Sequence, residues 1–371
     1  MTTYYAIGLM SGTSADGVSA VLAAFKEKHF EIISHSQTAY PDHLLPLIRL
    51  GGKLPASELS QLNMALGEIF AKAALQVLKK SHISPADIHC IGSHGQTIYH
   101  GPNDSIKNTL QISDPAVIAE RTGIPVVSHF RQKDMAVGGE GAPLIPFFDQ
   151  YFFSEGPIRA FQNIGGIGNV TIVGKAIKDP LAFDTGPGNA LMDLAVRIAT
   201  NNQESFDKNG EGAKKGKMNA FVVHKMMEDA YFKKPPPKST GLELFNRDFL
   251  NKYIPDEKIK TNLNDVLATL NYLTCISIQE SYRRFIFPKF SVSEIIISGG
   301  GSHNKTLMKK LECLFAPIPI IPIDKLGIPS QIKEPLAFAF MGLRCLLGKN
   351  NHLPHTTGAK KSCVLGSITK P

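Results

Sequence analysis

Two glycine-tipped hairpins, one near the start of each half of the chain, constrain its fold more than any other feature. In the first, Leu9-Met10-Ser11-Gly12-Thr13-Ser14-Ala15-Asp16-Gly17-Val18 lies between the apolar, strand-like runs 4–9 and 18–25. Strand, Gly/Ser/Thr turn and strand read as a hairpin whose tip is bare backbone and hydroxyls. Gly12 and Gly17 let the backbone bend and approach a ligand closely. Thr13 and Ser14 add donors able to cradle phosphate oxygens, and Asp16, an acceptor only, could hold a water on Mg²⁺. A plain hairpin turn accounts for this stretch equally well. The second, Phe161-Gln162-Asn163-Ile164-Gly165-Gly166-Ile167-Gly168-Asn169-Val170, has the same plan, and Thr171-Ile172-Val173 continues its second strand. Repetition of this kind predicts a duplicated architecture, the two tips gripping a triphosphate from both sides. A third glycine turn, Ser298-Gly299-Gly300-Gly301-Ser302, follows Ile295-Ile296-Ile297. It reads as a strand-to-helix turn at a sheet's carboxyl edge, where α/β proteins bind nucleotides.

A chain of 371 residues is long for one core and suits two lobes. Its hydrophobic fraction of 43% is ordinary for a soluble globular protein. No run reaches the roughly 18 apolar residues of a membrane span, so no membrane association is expected. The opening MTTYYAIGLM lacks a basic leader and enters a strand at once, unlike a signal peptide. Cys90, Cys275, Cys313, Cys345 and Cys363 are dispersed, without C-x-x-C spacing. That argues for reduced thiols, against zinc, and for the cytoplasm. The net charge is +8, but the basic residues are scattered and Trp is absent. The densest cluster, 208–217 with Lys233, Lys234 and Lys238, reads as a solvated loop; no nucleic acid is expected. A cleft that attracts anionic substrates is the intermediate reading.

Apolar spacing predicts a helix over 56–80, with Leu59, Leu62, Leu66, Ile69, Phe70, Ala73 and Val77 inward. Residues 88–92 read as a short buried strand delivering Ser93-His94-Gly95-Gln96-Thr97 to an edge loop. His94 and His100 have no acid or Cys beside them, so a metal site is not expected there. Asp114-Pro115 is a helix start. Arg131, at a strand end, suits a carboxylate through its planar fork, or a surface ion pair. Residues 138–143 read as a candidate interdomain hinge. Asp184, on a Gly/Pro turn before a helix, is either a turn former or a rigidly held general base. Residues 202–217 read as mobile, and 235–241 as stiff, then turning. A long helix is expected over 264–287, a helix over 303–315 and a short strand over 317–323. A helix over 333–347, apolar nearly all round, is expected between lobes. Glu334 in its first turn complements the helix dipole or takes part in chemistry.

The string GLMSGTSADGV resembles the opening signature of the anhydro-N-acetylmuramic acid kinases, members of the actin, hexokinase and Hsp70 superfamily. Collinear blocks extend the resemblance through the chain: SHGQTIYHGP (93–102), TLQISDPAVIAERTGIPVV (109–127), GGEGAPLIP (138–146), NIGGIGNVT (163–171), FDTGPGNALMD (183–193), PPKSTG (236–241), ATLNYLT (268–274) and SGGGSHNKTLM (298–308). The resemblance implies an α/β fold of two lobes, with duplicated ribonuclease H-like (actin-like ATPase) cores and an interlobe cleft. The lobes are expected at 1–130 plus 345–371 and at 131–344. It implies an ATP- and Mg²⁺-dependent kinase of cell-wall recycling that opens 1,6-anhydro-N-acetylmuramic acid with water and phosphorylates it, with a homodimer as its assembly. Asp184 would be the catalytic base and Glu334 its partner; His94, Thr97 and Arg131 would contact the sugar. ATP would meet Gly12, Thr13, Ser14, Ala15, Asp16, Gly17, Val18, Ser19, Gly165, Gly166, Gly299, Gly300 and Gly301, with Asp16 reaching Mg²⁺ through water. Three positions depart from the family pattern: Ser19 and Ser330 replace acids, and His129 replaces the Asp before Phe130-Arg131. A non-catalytic nucleotide- or sugar-binding relative and a same-fold kinase for another sugar are the competing readings.

Overall fold

The computed structural model describes residues 2–12 and 17–371. It divides into two compact units, 1–152 with 331–371, and 153–330. In the first unit, β1 (Tyr4–Ser11), β2 (Gly17–Lys26) and β3 (His29–Ala39) form an antiparallel meander. β4 (Ile88–Gly101) then lies parallel to β1, and β5 (Asn108–Ile112) returns along its outer half. β6 (Val126–Ser128) adds parallel to β4. The helix α1 (Ala56–Ser81) turns Leu62, Leu66, Phe70, Ala73, Ala74 and Val77 into the core, on the expected stripe. α2 (Pro115–Thr122) starts at Asp114, whose carboxylate caps the amides of Ala116 and Val117. α3 (Phe130–Ala136) and α4 (Pro146–Phe153) follow.

The second unit repeats the plan. β7 (Arg159–Ile164), β8 (Ile167–Val173) and β9 (Leu181–Pro187) are antiparallel; β10 (Glu294–Ser298) and β11 (Ile320–Pro322) continue parallel beyond β7. The sheet order β9-β8-β7-β10-β11 matches β3-β2-β1-β4-β6 strand for strand. Three antiparallel strands followed by two parallel ones, twice over, is the expected duplicated core. α5 (Ala190–Ala199), α6 (Leu263–Ser281) and α7 (Lys305–Phe315) cover this sheet.

The chain then returns to the first unit as α8 (Lys333–Leu346) and ends in β12 (Ser367–Thr369), antiparallel to β6. α8 lies directly on the first sheet through glycines. A Cβ on Gly8 would stand 1.8 Å from the Pro335 carbonyl oxygen, and one on Gly92 2.0 Å from that of Phe338.

Several expectations change. The boundaries fall at 152/153 and 330/331, where 130/131 and 344/345 were expected. Phe148 and Phe152 of α4 pack with Phe25, Phe30 and Phe340, which holds 131–152 to the first core. Residues 138–143 therefore lie inside that unit and are not a hinge between units. α8 packs on the first sheet. Residues 93–101 are strand, because β1 pairs with Ser93 and Gln96 and β5 pairs from Gln96 onward. The Lys-rich stretch contains a short helix, Glu211–Lys215, with the Asp207 carboxylate on the amides of Gly212 and Ala213. The 264–287 prediction ends as α-helix at Ser281 and continues as one π-helical turn, Tyr282–Ile286.

Candidate active site

In the first unit, the candidate residues gather where β4 leaves the core. Gly95, at φ +78°, kinks the strand and turns His94 inward. The His94 Nδ1 faces the Gly95 carbonyl at 3.0 Å, and Arg131 Nε donates to His94 Nε2 at 2.8 Å. Arginine can only donate, so Nε2 accepts and the proton sits on Nδ1. Burial, reinforced by the Arg131 charge, pushes the imidazole pKa well below its usual range and keeps the ring neutral. Arg131 Nη1 also donates to the Gly141 carbonyl at 2.8 Å. His94 is thus first a prop for Arg131. It also lines a cavity of about 600 Å³ with Ser93, Asn63, Ser113 and His129.

Behind Gly141 stands a buried network. Asp134 Oδ2 accepts the Gly141 amide at 2.7 Å, and its Oδ1 meets His352 Nε2 and the Thr357 hydroxyl, each at 2.6 Å. Burial works to raise the Asp134 carboxyl, but these hydrogen bonds hold it below the usual aspartate range. Half-buried Glu334 shares the Arg131 neighbourhood. Burial raises its pKa, opposed by the charges of Arg131 and Lys333. Thr97 Oγ1 accepts from Gln111 at 3.3 Å. Sequence reading passed over Gln96, which sits inside the same SHGQT string. It accepts from the Ser11 hydroxyl at 2.6 Å and reaches the Gly12 carbonyl at 3.4 Å, tying the first hairpin to β4.

That hairpin is confirmed up to its tip, with Met10 opposite Ser19. Thr13, Ser14, Ala15 and Asp16 lie outside the described residues. Gly17, at φ +150°, has no room for a Cβ, which would stand 2.3 Å from the Thr38 carbonyl oxygen, and the Val18 side chain is in the core.

In the second unit, Asp184 lies within β9, opposite Asn169, and not on the Gly/Pro turn expected for it. Gly186, at φ +141°, and Pro187 are themselves still strand, paired with Gly168 and Ile167, and only Gly188 and Asn189 separate β9 from α5. Asp184 is half-buried and fixed from three directions. Its amide donates to the Lys238 carbonyl at 3.1 Å, its carbonyl accepts the Tyr231 hydroxyl at 2.6 Å, and its Oδ2 accepts the Thr240 amide at 2.9 Å. The turn at Gly165 and Gly166 is seated by the start of α5: the amides of Gly188 and Ala190 donate to Gly166, and that of Asn189 to Gly165, at 2.8–3.1 Å. Gly299 and Gly301 pack against Asn163 and Ile164, so the second and third glycine turns adjoin.

Two of these glycines test the fit to a nucleotide. A Cβ on Gly165 would meet nothing nearer than 3.6 Å, and one on Gly300 nothing nearer than 3.7 Å; neither has a positive φ. The protein's own packing does not require glycine there, and the bare backbone it leaves fits a phosphate or nucleoside. Among the described residues no cluster of three or more His, Cys, Asp or Glu could hold a metal. Asp16, the residue expected to reach Mg²⁺ through water, lies outside the described residues.

The family model described as anhydro-N-acetylmuramic acid kinase matches residues 4–371. The chain belongs to the anhydro-N-acetylmuramic acid kinase family. A relative of that name from Caldanaerobacter subterraneus subsp. tengcongensis is 40% identical, over 98% of this chain and 96% of its own. Another, from Shewanella sp. strain ANA-3, is 41% identical, over 99% and 98%. Among solved structures, a ROK family glucokinase from Streptomyces griseus, in complex with glucose and AMPPNP, aligns with TM-score 0.41 at 11% identity, over 92% of this chain and 99% of its own. For this member of the anhydro-N-acetylmuramic acid kinase family, two departures have structural readings. The Ser330 hydroxyl donates to Asp324 and meets Ser302 Oγ at 3.2 Å, so a carboxylate still stands beside the third glycine turn. His129 starts α3 at φ +58° and contacts Ser128 Oγ at 3.2 Å. Among the described residues no helix is long and apolar enough to cross a membrane.

Proposed function

We propose that this chain is an ATP-dependent kinase that opens the ring of 1,6-anhydro-N-acetylmuramic acid with water and phosphorylates O6, giving N-acetylmuramic acid 6-phosphate. The observation that carries the reading is Asp184, a half-buried carboxylate with one oxygen and its whole peptide fixed by the 231–240 segment, in a chain of this family. Rigid placement is what a general base for phosphoryl transfer requires.

Asp184 takes a proton from the water that attacks the anomeric carbon. The bond from that carbon to the bridging O6 breaks, and O6 attacks the γ-phosphate, releasing ADP. Arg131, its plane fixed by His94 and Gly141, suits the lactyl carboxylate of the sugar. Glu334, kept protonated to a higher pH than an ordinary glutamate by its burial, serves to hold the sugar or to shuttle a proton. The backbone at Gly165–Gly166 and Gly299–Gly301 receives the nucleotide. Mg²⁺ neutralises phosphate charge when bound with it.

The test is incubation with ATP, Mg²⁺ and the anhydro-sugar in ¹⁸O water, followed by mass spectrometry. A phosphorylated product carrying one ¹⁸O is expected, and Asp184→Asn should lower turnover by about 10²- to 10⁴-fold while still binding ATP. Undiminished turnover by that variant would remove Asp184 as the base. ATP binding without ADP release by the wild type would replace the kinase reading with a binding protein.

A further inference from the structure

The PPKSTG string has no assigned part in the chemistry, yet it supplies two of the three bonds that hold Asp184. Lys238 lies inside it and is buried, an uncommon setting for an ammonium group. Its Nζ stands over three aromatic rings: Tyr231 at 4.5 Å, Phe285 at 5.3 Å and Phe183 at 5.8 Å from the ring centres. Such a cage favours a cation stripped of water. The Nζ also donates to the Tyr231 carbonyl at 3.4 Å. Phe183 precedes Asp184 in β9, Tyr231 donates its hydroxyl to the Asp184 carbonyl, and the Lys238 carbonyl takes the Asp184 amide. One backbone–side-chain circuit therefore joins the caged cation to the proposed base.

We propose that Lys238 is a positioning residue for Asp184: a caged cation that locks the strand carrying the carboxylate and favours its ionised, proton-accepting form. This rests on the reading of Asp184 as the base. The charged groups around Lys238 are few. Asp184 attracts it; Lys234 and Arg284 repel it. The Arg284 charge is engaged by Glu280 at 3.1 Å. Glu243 and Asp184 both act on the Tyr231 hydroxyl. Burial brings Lys238 down to about 8, against the pull of Asp184, so the ammonium form persists through neutral pH. By the same attraction, a nearby positive charge stabilises an ionised carboxylate.

The experiment is a titration of the Asp184 carboxyl carbon by ¹³C NMR in the full chain, its signal assigned by its loss in Asp184→Asn. Lys238→Met keeps the packed stem and removes the charge; Lys238→Arg keeps the charge. Removal of the cation should raise the Asp184 midpoint by about one pH unit, and arginine should restore most of it. The acid limb of kcat/KM should move with the midpoint. An unchanged midpoint in a folded Lys238→Met variant would overturn the proposal and leave Lys238 a packing residue. If Lys238→Met fails to fold, Lys238→Gln and the Lys238→Arg midpoint decide in the same way. A midpoint that moves while the acid limb stays fixed supports the coupling and sinks Asp184 as the base instead.

Discussion

His94 and Arg131 show how one hydrogen bond decides the role of a side chain. Because Arg131 donates to His94 Nε2, the ring serves as an acceptor that fixes the guanidinium. His94→Ala should raise KM for the sugar about tenfold or more with KM for ATP unchanged, since a charge-assisted hydrogen bond contributes roughly 1.5–3 kcal/mol. His94→Gln, which keeps an acceptor, should recover part of it. Glu334 makes a prediction of opposite sign for stability and activity. Its pKa is raised by burial, so the folded state holds the proton more tightly than the unfolded chain does. Ionisation then costs folding stability once the pH exceeds the unfolded glutamate value of about 4.3. Glu334→Gln should melt higher than wild type at neutral pH, lose that advantage in acid and turn over more slowly; calorimetry across pH and an ADP assay test both halves. From the sequence, His94, Arg131 and Glu334 were legible as residues of interest. The propping of one by another was not, because it depends on a contact across 37 positions that no local pattern encodes.

Among the elements, α8 and the strands beneath it depend on three glycines. With Gly8 and Gly92 against the helix backbone, and Gly342 facing Gly92 in return, helix and sheet backbones meet directly at these points. Gly92→Ala should cost about 1–3 kcal/mol or more through overpacking, measured by urea denaturation, and should depress activity by displacing the helix that carries Glu334. Helix positions were readable in advance because their apolar stripes are long, as in α1. The strand at 93–101 was not. Its run of His, Gly, Gln and Thr resembles a loop, and it is pairing with β1 at Ser93 and Gln96 and with β5 from Gln96 onward that makes it a strand. Asp184 was misplaced for a related reason: the Gly and Pro that follow it belong to the exit from β9, not to the residue itself. The 235–241 stretch offered no local clue: its hold on Asp184 runs through the Lys238 carbonyl and the Thr240 amide, peptide groups that any residue possesses, and the cage around Lys238 is built from Phe183, Tyr231 and Phe285, which lie elsewhere in the sequence.

For the molecule as a whole, the duplicated sheet order was foreshadowed by the repeated hairpins, whereas the unit boundaries were not, since aromatic packing by α4 sets the first of them. The C-terminal segment is integral to the first unit. Asn351 donates to the carbonyls of Met341 and Leu365, each at 2.9 Å, and His352 and Thr357 complete the Asp134 network behind Gly141. Asp134→Asn should destabilise the chain by about 1–3 kcal/mol, because the amide cannot accept from Gly141, Thr357 and His352 as the carboxylate does, and should weaken sugar binding through Gly141. Because the Asp134 carboxyl is held below its unfolded value, its contribution is complete at neutral pH and fades as the pH falls through the folded value. Denaturation midpoints of wild type and variant should therefore converge in strong acid.

The interruption of one unit by the other also orders events at the ribosome. Residues 153–330 leave the exit tunnel as one continuous stretch and can fold while synthesis proceeds. The first unit must wait for 331–371, which bring α8 and the clasp on Asp134. Until α8 and the 351–357 segment dock, Arg131 lacks its backing and Glu334 its seat on the first sheet, so the glycine turns of 153–330 can take shape before the residues proposed to hold the sugar are in place.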